Sequence, residues 1–296
     1  MTNTVEMIVA AENIVGESAV WDARRQSLYW VDIIGRRVLA LRADGSVDGW
    51  DMPGIVTSIG LCADGRAIMG QRKSVALWDF VGDPALLAEV EPNAPATRLN
   101  EGVVGPDGAY WVGTMQDNIG LDDAPQDITA TLGRLWRVTP DGAVHALCTD
   151  RFGITNTLVW TDDDRLITAD TMENTLYSYA ISEGTLSDRR ILLAGFARGL
   201  PDGSCRDADG YVWNCRVVGG GCVIRIAPDG SIDRVIDLPC SWPTSCAFGG
   251  PELDHLYITS ARFTMTAEHL AANPQEGSLF RVNPGCTGLA PHRFGG

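Results

Sequence analysis

One pattern returns six times along the chain: a short strand, a tight turn, and a second strand rich in aromatic and β-branched residues. One copy reads Ser18-Ala-Val-Trp-Asp22, then Leu28-Tyr-Trp-Val-Asp32. Others run through Pro106-Asp-Gly108 into Ala109-Tyr-Trp-Val-Gly113, and through Ala208-Asp-Gly210 into Tyr211-Val-Trp-Asn214. Further copies start near Ser58, Thr157 and Ser245. Third strands follow, such as Cys222-Val-Ile-Arg-Ile226, and then another Asp-Gly turn at Asp229-Gly230. Aligned on their first strand, the copies bring Glu17, Thr57, Asn100, Asn156, Asp202 and Thr244 to one position, at intervals of 40, 43, 56, 46 and 42 residues. Repeats of that length made of a four-stranded meander pack around an axis. The expectation is an all-β, six-bladed β-propeller occupying residues 1–296 as a single domain. A β-sandwich, the alternative, gives no reason for six similar units. Residues Val5 to Ala10 precede the first copy and are expected to add an outer strand that closes the ring. Helical periodicity is limited to a turn or two at Ala267–Ala272, and Gly219-Gly220-Gly221 reads as a hairpin turn.

Composition narrows the function. With 45% hydrophobic residues, a chain of 296 residues has ample material for a core. A net charge of −15 excludes a nucleic-acid partner, which needs a surplus of Lys and Arg. The first fifteen residues lack a basic start and an apolar run, so no signal peptide is expected; no stretch is apolar enough to span a membrane. The eight cysteines include no CxxC pair and read as reduced, buried small hydrophobes of a cytoplasmic protein. There is no G-x-S-x-G elbow, phosphate loop or dinucleotide fingerprint. The four histidines (His145, His255, His269, His292) fall outside the aligned ring and read as surface residues.

In a propeller the first strand of each blade lines the channel, so the six aligned side chains converge at one end of the axis. Carboxylates brought together in a partly dry channel repel, unless one protonates or a cation sits between them. Oxygen donors from Glu, Asp and Asn suit a hard or borderline divalent ion. A merely hydrated channel with polar strand ends is the other reading of the same positions.

These residues carry a resemblance to the SMP-30/gluconolactonase, or regucalcin-like, family of sugar lactonases. It runs from Gly16-Glu-Ser-Ala-Val-Trp-Asp22 to Gly288-Leu-Ala-Pro291 and rests on Arg98-Leu-Asn-Glu-Gly102, Tyr110-Trp-Val-Gly-Thr-Met115, Ile154-Thr-Asn156, Pro201-Asp-Gly203 and Thr244-Ser-Cys-Ala-Phe-Gly-Gly250. Within the family the chain looks most like the bacterial sugar-acid lactonases that act on D-xylonolactone. The resemblance implies metal ligands at Glu17, Asn156 and Asp202, and substrate contacts at Arg98 and Asn100. Two departures stand out. The chain has Glu17-Ser18-Ala19 where the family usually has Glu-Gly/Ser-Pro, and Thr155-Asn156-Thr157-Leu158 where it has Ser-Asn-Gly-Leu. Glu101 stands where many members carry Asp, and is expected to accept hydrogen bonds from sugar hydroxyls.

The expected reaction is metal-dependent opening of an aldonolactone such as D-xylono- or gluconolactone, with Asp202 as general base. Arg98 has a structural salt bridge as its alternative role. One divalent ion is expected, Fe(II) favoured on the resemblance, with Ca(II), Zn(II) and Mn(II) also compatible with oxygen ligands. A monomer binding a small-molecule lactone is the expected state. Two long loops, Gln116 to Thr131 and Arg262 to Gly277, are placed to act as lids. The rival functions are a propeller hydrolase of phosphotriesters or aryl esters and a non-catalytic interaction module.

Overall fold

The computed structural model of the protein describes residues 4–296. Six antiparallel sheets of four strands follow one another around a central axis. The innermost strands are Gly16–Asp22, Val56–Cys62, Thr97–Val104, Thr155–Trp160, Leu200–Arg206 and Pro243–Gly249, one for each of blades 1 to 6. This is the six-bladed propeller read from the repeat.

Burial explains why the second strands are almost continuously apolar. A blade is sandwiched between two neighbours, so both faces of its middle strands are covered, and alternate residues serve opposite faces. In blade 1, Tyr29 and Val31 pack against blade 2, among Val56, Ile59 and Leu61. The intervening Leu28 and Trp30 pack against Tyr257 and Leu279 of blade 6. The same division recurs in blade 5, where Val212 joins blade 4 and Trp213 with Cys215 joins blade 6. Six apolar clusters result, one at each interface between blades.

The ends of the chain fasten the ring. Glu6–Val9 pairs antiparallel with Leu279–Val282 and supplies the outermost strand of blade 6, as expected for Val5 to Ala10. Arg293–Phe294 pairs parallel with Leu61 and Cys62 on the inner strand of blade 2, a second latch that the repeat did not announce. The one helix among the described residues, Ala267–Ala272, is capped by Thr266, whose side chain accepts from the His269 amide. Gly219 and Gly221 have φ of 77° and 56° in the turn between Val212–Val217 and Cys222–Ile226, a conformation open to glycine. No helix among the described residues is long and apolar enough to cross a membrane. All eight cysteines are free thiols.

Every inner strand breaks its ladder near the aligned position. The irregularities fall between Glu17 and Val20, Val56 and Ser58, Leu99 and Gly102, Asn156 and Val159, Pro201 and Ser204, and Pro243 and Cys246. A bulge bends the strand and re-aims side chains. Repeated six times, it turns the polar residues off the strand faces and toward the axis.

Trp30 is fully buried and its indole N–H has no hydrogen-bond partner, so its contribution is packing alone. Trp30→Ala is expected to cost about 3–5 kcal/mol, seen as a lower urea midpoint; a loss under about 1 kcal/mol would contradict the central role of the blade 6–blade 1 interface.

Candidate active site

At the N-terminal ends of the inner strands the channel opens into a cavity of about 760 Å³. Glu17, Arg98, Asn100, Asn156, Asp202 and Thr244 all line it. Five of the six aligned positions therefore meet there; Thr57, buried against Ser58, does not reach the wall. Both long loops do: Asn118, Ile119 and Pro125 to Thr129 come from the first, Phe263 and Thr264 from the second. The first is anchored at its base by the Arg72–Asp117 ion pair and at its tip by Arg36, whose guanidinium holds both oxygens of Asp123 at 2.7 and 2.8 Å.

The Glu17 and Asp202 carboxylates line the same cavity, near enough for each to act on the other's ionisation. Burial holds the Glu17 carboxyl well above the usual carboxylate range, and the charges of Asp202 and Glu101 add to it. Burial does the same to Asp202, again with help from Glu101; contact with Glu17, the Gly203 amide and the buried Arg216 pull the other way. Two acidic groups kept this close in a dry channel need a proton or a cation between them.

The neighbouring amides are fixed by full hydrogen bonding. Asn156 donates from Nδ2 to the Thr171 hydroxyl at 2.8 Å, which leaves its Oδ1 turned to the cavity. That oxygen accepts from Asn100 Nδ2 at 3.1 Å, and Asn100 Nδ2 also reaches the Thr155 carbonyl at 2.9 Å. The Thr171 hydroxyl in turn donates to the Pro201 carbonyl at 2.8 Å, one residue before Asp202. Blades 3, 4 and 5 are thus tied to each other at the level of the site.

Glu17, Asp202 and the Asn156 Oδ1 together form an all-oxygen donor set of charge −2 when ionised, which fits a hard or borderline divalent ion. Among the described residues no cluster of three or more His, Cys, Asp or Glu side chains has metal-holding geometry; the third donor here is an amide.

Arg98 is buried, and burial lowers its pKa to about 10, which leaves it charged at neutral pH. It donates to Asn100 Oδ1 and the Leu99 carbonyl, each at 2.8 Å, and twice to Asn118 Oδ1 at 3.0 and 2.9 Å. A guanidinium has five N–H donors. Four are taken, so one remains for a bound molecule. The Asp117 carboxylate lies 4.0 Å away, a loose pair. Arg98 lines the cavity while holding Asn100 and the loop residue Asn118 in place.

Glu101 is not brought to this cavity. Being next to Asn100 in the bulged strand, it points the other way, accepts from the Gly102 amide at 3.2 Å, and lines a separate cavity at the far end of the channel. Burial raises its pKa to about 7. Its bearing on the site is through its charge on Glu17 and Asp202, and the hydrogen bonds to sugar hydroxyls expected of it have no geometric basis here.

Three contributors were missed in the sequence. Asn118 and Thr171 lie outside the repeat's aligned position and had no signal. Thr157 had one: it replaces the usual glycine of the motif. Its φ is 60°, a costly conformation for a β-branched residue. Its hydroxyl donates to the Asp202 carbonyl at 2.6 Å and pairs with Ser204 Oγ at 2.8 Å. The strained residue after Asn156 therefore clamps the strand that carries Asp202.

Fold and site together define a six-bladed propeller with carboxylates and amides converging on a cavity at one end of its axis. The pattern of the family described as SMP-30/Gluconolactonase/LRE-like region matches residues 15–262. A 6-deoxy-6-sulfogluconolactonase of Pseudomonas putida is 37% identical, with 97% of this chain and 98% of that protein aligned. Regucalcin of Gallus gallus is 31% identical over 99% of this chain and 98% of its own. Among solved structures, a calcium-binding regucalcin from Agrobacterium tumefaciens superposes with a TM-score of 0.90 at 25% identity, covering 99% of this chain and 98% of that one. The chain belongs to the SMP-30/gluconolactonase family, and it is a lactonase.

Thr157→Gly removes both the strain and the hydroxyl clamp, so its stability changes offset and the melting temperature should stay close to wild type. Affinity for a divalent ion, measured by competition with a chelator, is expected to fall roughly tenfold or more, the usual effect of losing a group that supports a ligand. Thr157→Ser, keeping the hydroxyl, should restore most of that affinity.

Proposed function

We propose that the chain hydrolyses an uncharged aldonolactone, of the size of D-xylono- or gluconolactone, with one divalent ion held by Glu17, Asn156 and Asp202. The single observation that carries this reading is the convergence of the Glu17 and Asp202 carboxylates and the Asn156 amide on one cavity large enough for a sugar. A bound divalent ion supplies Lewis-acid polarisation of the lactone carbonyl and acidifies a nearby water. Oxygen donors accept Fe(II), Ca(II), Mn(II) or Zn(II), and Fe(II) remains the favoured ion on the resemblance to bacterial sugar-acid lactonases.

The chain's own residues do the rest. Asp202 takes the proton from the water that attacks the carbonyl carbon; collapse of the tetrahedral adduct breaks the ring C–O bond and yields the open acid. Asn100 and the free N–H of Arg98 hold the oxygens of the sugar. Apolar side chains of Ile33, Ile34, Ile119 and Phe263 line the cavity and exclude water around the ring.

Charge supports a neutral substrate. Arg98 is the only basic side chain among the described residues of the cavity wall, and four of its five donors are committed within the protein. A sulfonate at the end of the sugar, as in the substrate named for the Pseudomonas relative, would find no more than the one remaining N–H of Arg98. The chain is accordingly expected to show a higher kcat/KM for gluconolactone than for its 6-sulfo counterpart. Equal values, or a preference for the sulfonate, would refute the charge argument while leaving lactone hydrolysis intact.

Acid release on adding a sugar lactone, with and without chelator, tests the activity itself. Asp202→Asn keeps an oxygen ligand and loses the base, so hydrolysis should fall roughly 10²–10⁴-fold with some metal retained. Asp202→Ala should lose metal as well. Asn100→Ala should keep the metal and raise KM. Near wild-type turnover by metal-loaded Asp202→Asn would remove Asp202 as the base.

A further inference from the structure

The channel has a second mouth, at the C-terminal ends of the inner strands, opening into a cavity of about 730 Å³. Two cysteines stand in its wall: Cys205 on the inner strand of blade 5 and Cys246 on that of blade 6. Their sulfurs are 3.5 Å apart. A third thiol, Cys215, packs near Cys246 from the second strand of blade 5, but is fully buried and outside the cavity wall. Lactone hydrolysis uses none of these groups.

The arrangement differentiates the thiols. Burial disfavours the thiolate at all three and holds Cys205 and Cys215 well above a normal thiol, while contact with these two brings the Cys246 pKa down to about 5; the Cys246 Sγ also lies 3.5 Å from the Trp213 carbonyl, to which its thiol donates. Cys246 is buried and Cys205 half-buried, but both line the cavity with their sulfurs side by side, and paired thiols of unequal acidity that a small oxidant can approach are the ones that oxidise.

We propose that Cys205 and Cys246 are a peroxide-reactive pair that closes to a disulfide between blades 5 and 6. The Cys246 sulfur attacks one oxygen of a hydroperoxide. The O–O bond breaks, the leaving oxygen departs as water or alcohol with the thiol proton, and Cys246 becomes a sulfenic acid. The Cys205 sulfur then attacks that sulfur, the S–O bond breaks, and a second water leaves with the Cys205 proton. The two thiols are oxidised by two electrons and the peroxide is reduced by two. Closing the gap from 3.5 Å to the ~2.05 Å of a disulfide takes a shift of roughly 1.5 Å, within reach of rotation about the Cα–Cβ bonds. Cys205, whose sulfur lies 3.5 Å from that of Cys246 in the same cavity wall, is the resolving thiol, while Cys215 is fully buried outside the wall.

The test uses the full-length, fully reduced protein and dilute hydrogen peroxide, followed by alkylation and peptide mass spectrometry. The expected product is one intramolecular Cys205–Cys246 disulfide, reversed by dithiothreitol, with the other six cysteines still alkylated after unfolding. In Cys205→Ser, whose fold is checked by its melting curve, Cys246 should stop at a sulfenic acid captured by dimedone. Wild-type protein that keeps all eight thiols under peroxide overturns the proposal, as does a Cys215–Cys246 or intermolecular link as the main product. Because the readout is thiol chemistry, it stands or falls apart from the lactonase activity.

Discussion

A sheet that is apolar on both faces cannot stand alone in water, and every blade of this protein is such a sheet. Tyr29 and Val31 need blade 2 just as Leu28 and Trp30 need blade 6. Hydrophobic burial at about 25 cal/mol per Å² is therefore available only when each blade has two neighbours. The sole arrangement that grants this to all six is a closed ring. Closure has a weak point where the chain's two ends meet, and the strand Glu6–Val9 completes blade 6 there with residues from the opposite end of the sequence. The axis, the channel and the convergence of inner strands all follow from that requirement.

Convergence then creates the electrostatic condition for a site. Six strands that point their first residues at one axis bring side chains from positions 17, 156 and 202 into contact, which no local segment would do. The ring holds carboxylates where water is scarce, and burial dominates what happens to them. Rigidity is the compensating asset. Asn156 is held by Thr171, Thr171 by the Pro201 carbonyl, and the Asp202 carbonyl by Thr157. The last two links cross from blade 4 to blade 5, so the donor oxygens are fixed by the same packing that keeps the blades together. Such preorganised dipoles and charges need little rearrangement during reaction.

The blade count, the closing strand, the short helix and the position of the polar ring were legible because each leaves a periodic or punctuated trace. Asp-Gly turns mark hairpins, alternating apolar runs mark strands, and one aligned column marks the axis. Glu101 shows where that reading stops. A repeat alignment places residues along a strand but does not say which end of a channel a neighbour of the aligned residue faces, and the bulge between Leu99 and Gly102 decides that. Asn118 and Thr171 were invisible for a different reason: they come from a loop and from a strand end, and join the site through hydrogen bonds that have no sequence period. Thr157 was noticed as a departure, but only its positive φ and its contact with Asp202 give the departure a meaning. The second latch, Arg293–Phe294, is too short to register as a strand in any pattern.

The same bulges divide the channel into two chemically distinct mouths. In blade 3, Asn100 goes to the sugar-sized cavity and Glu101 to the other. In blade 6, Thr244 goes to the first, while Ser245 and Cys246 go to the second. Oxygen donors and amides thus collect at the N-terminal ends of the inner strands, and hydroxyls and thiols at the C-terminal ends. Glu101 stands between the two sets, its carboxyl raised to about 7 by burial and its charge felt by Glu17 and Asp202 on one side and coupled to Cys246 on the other.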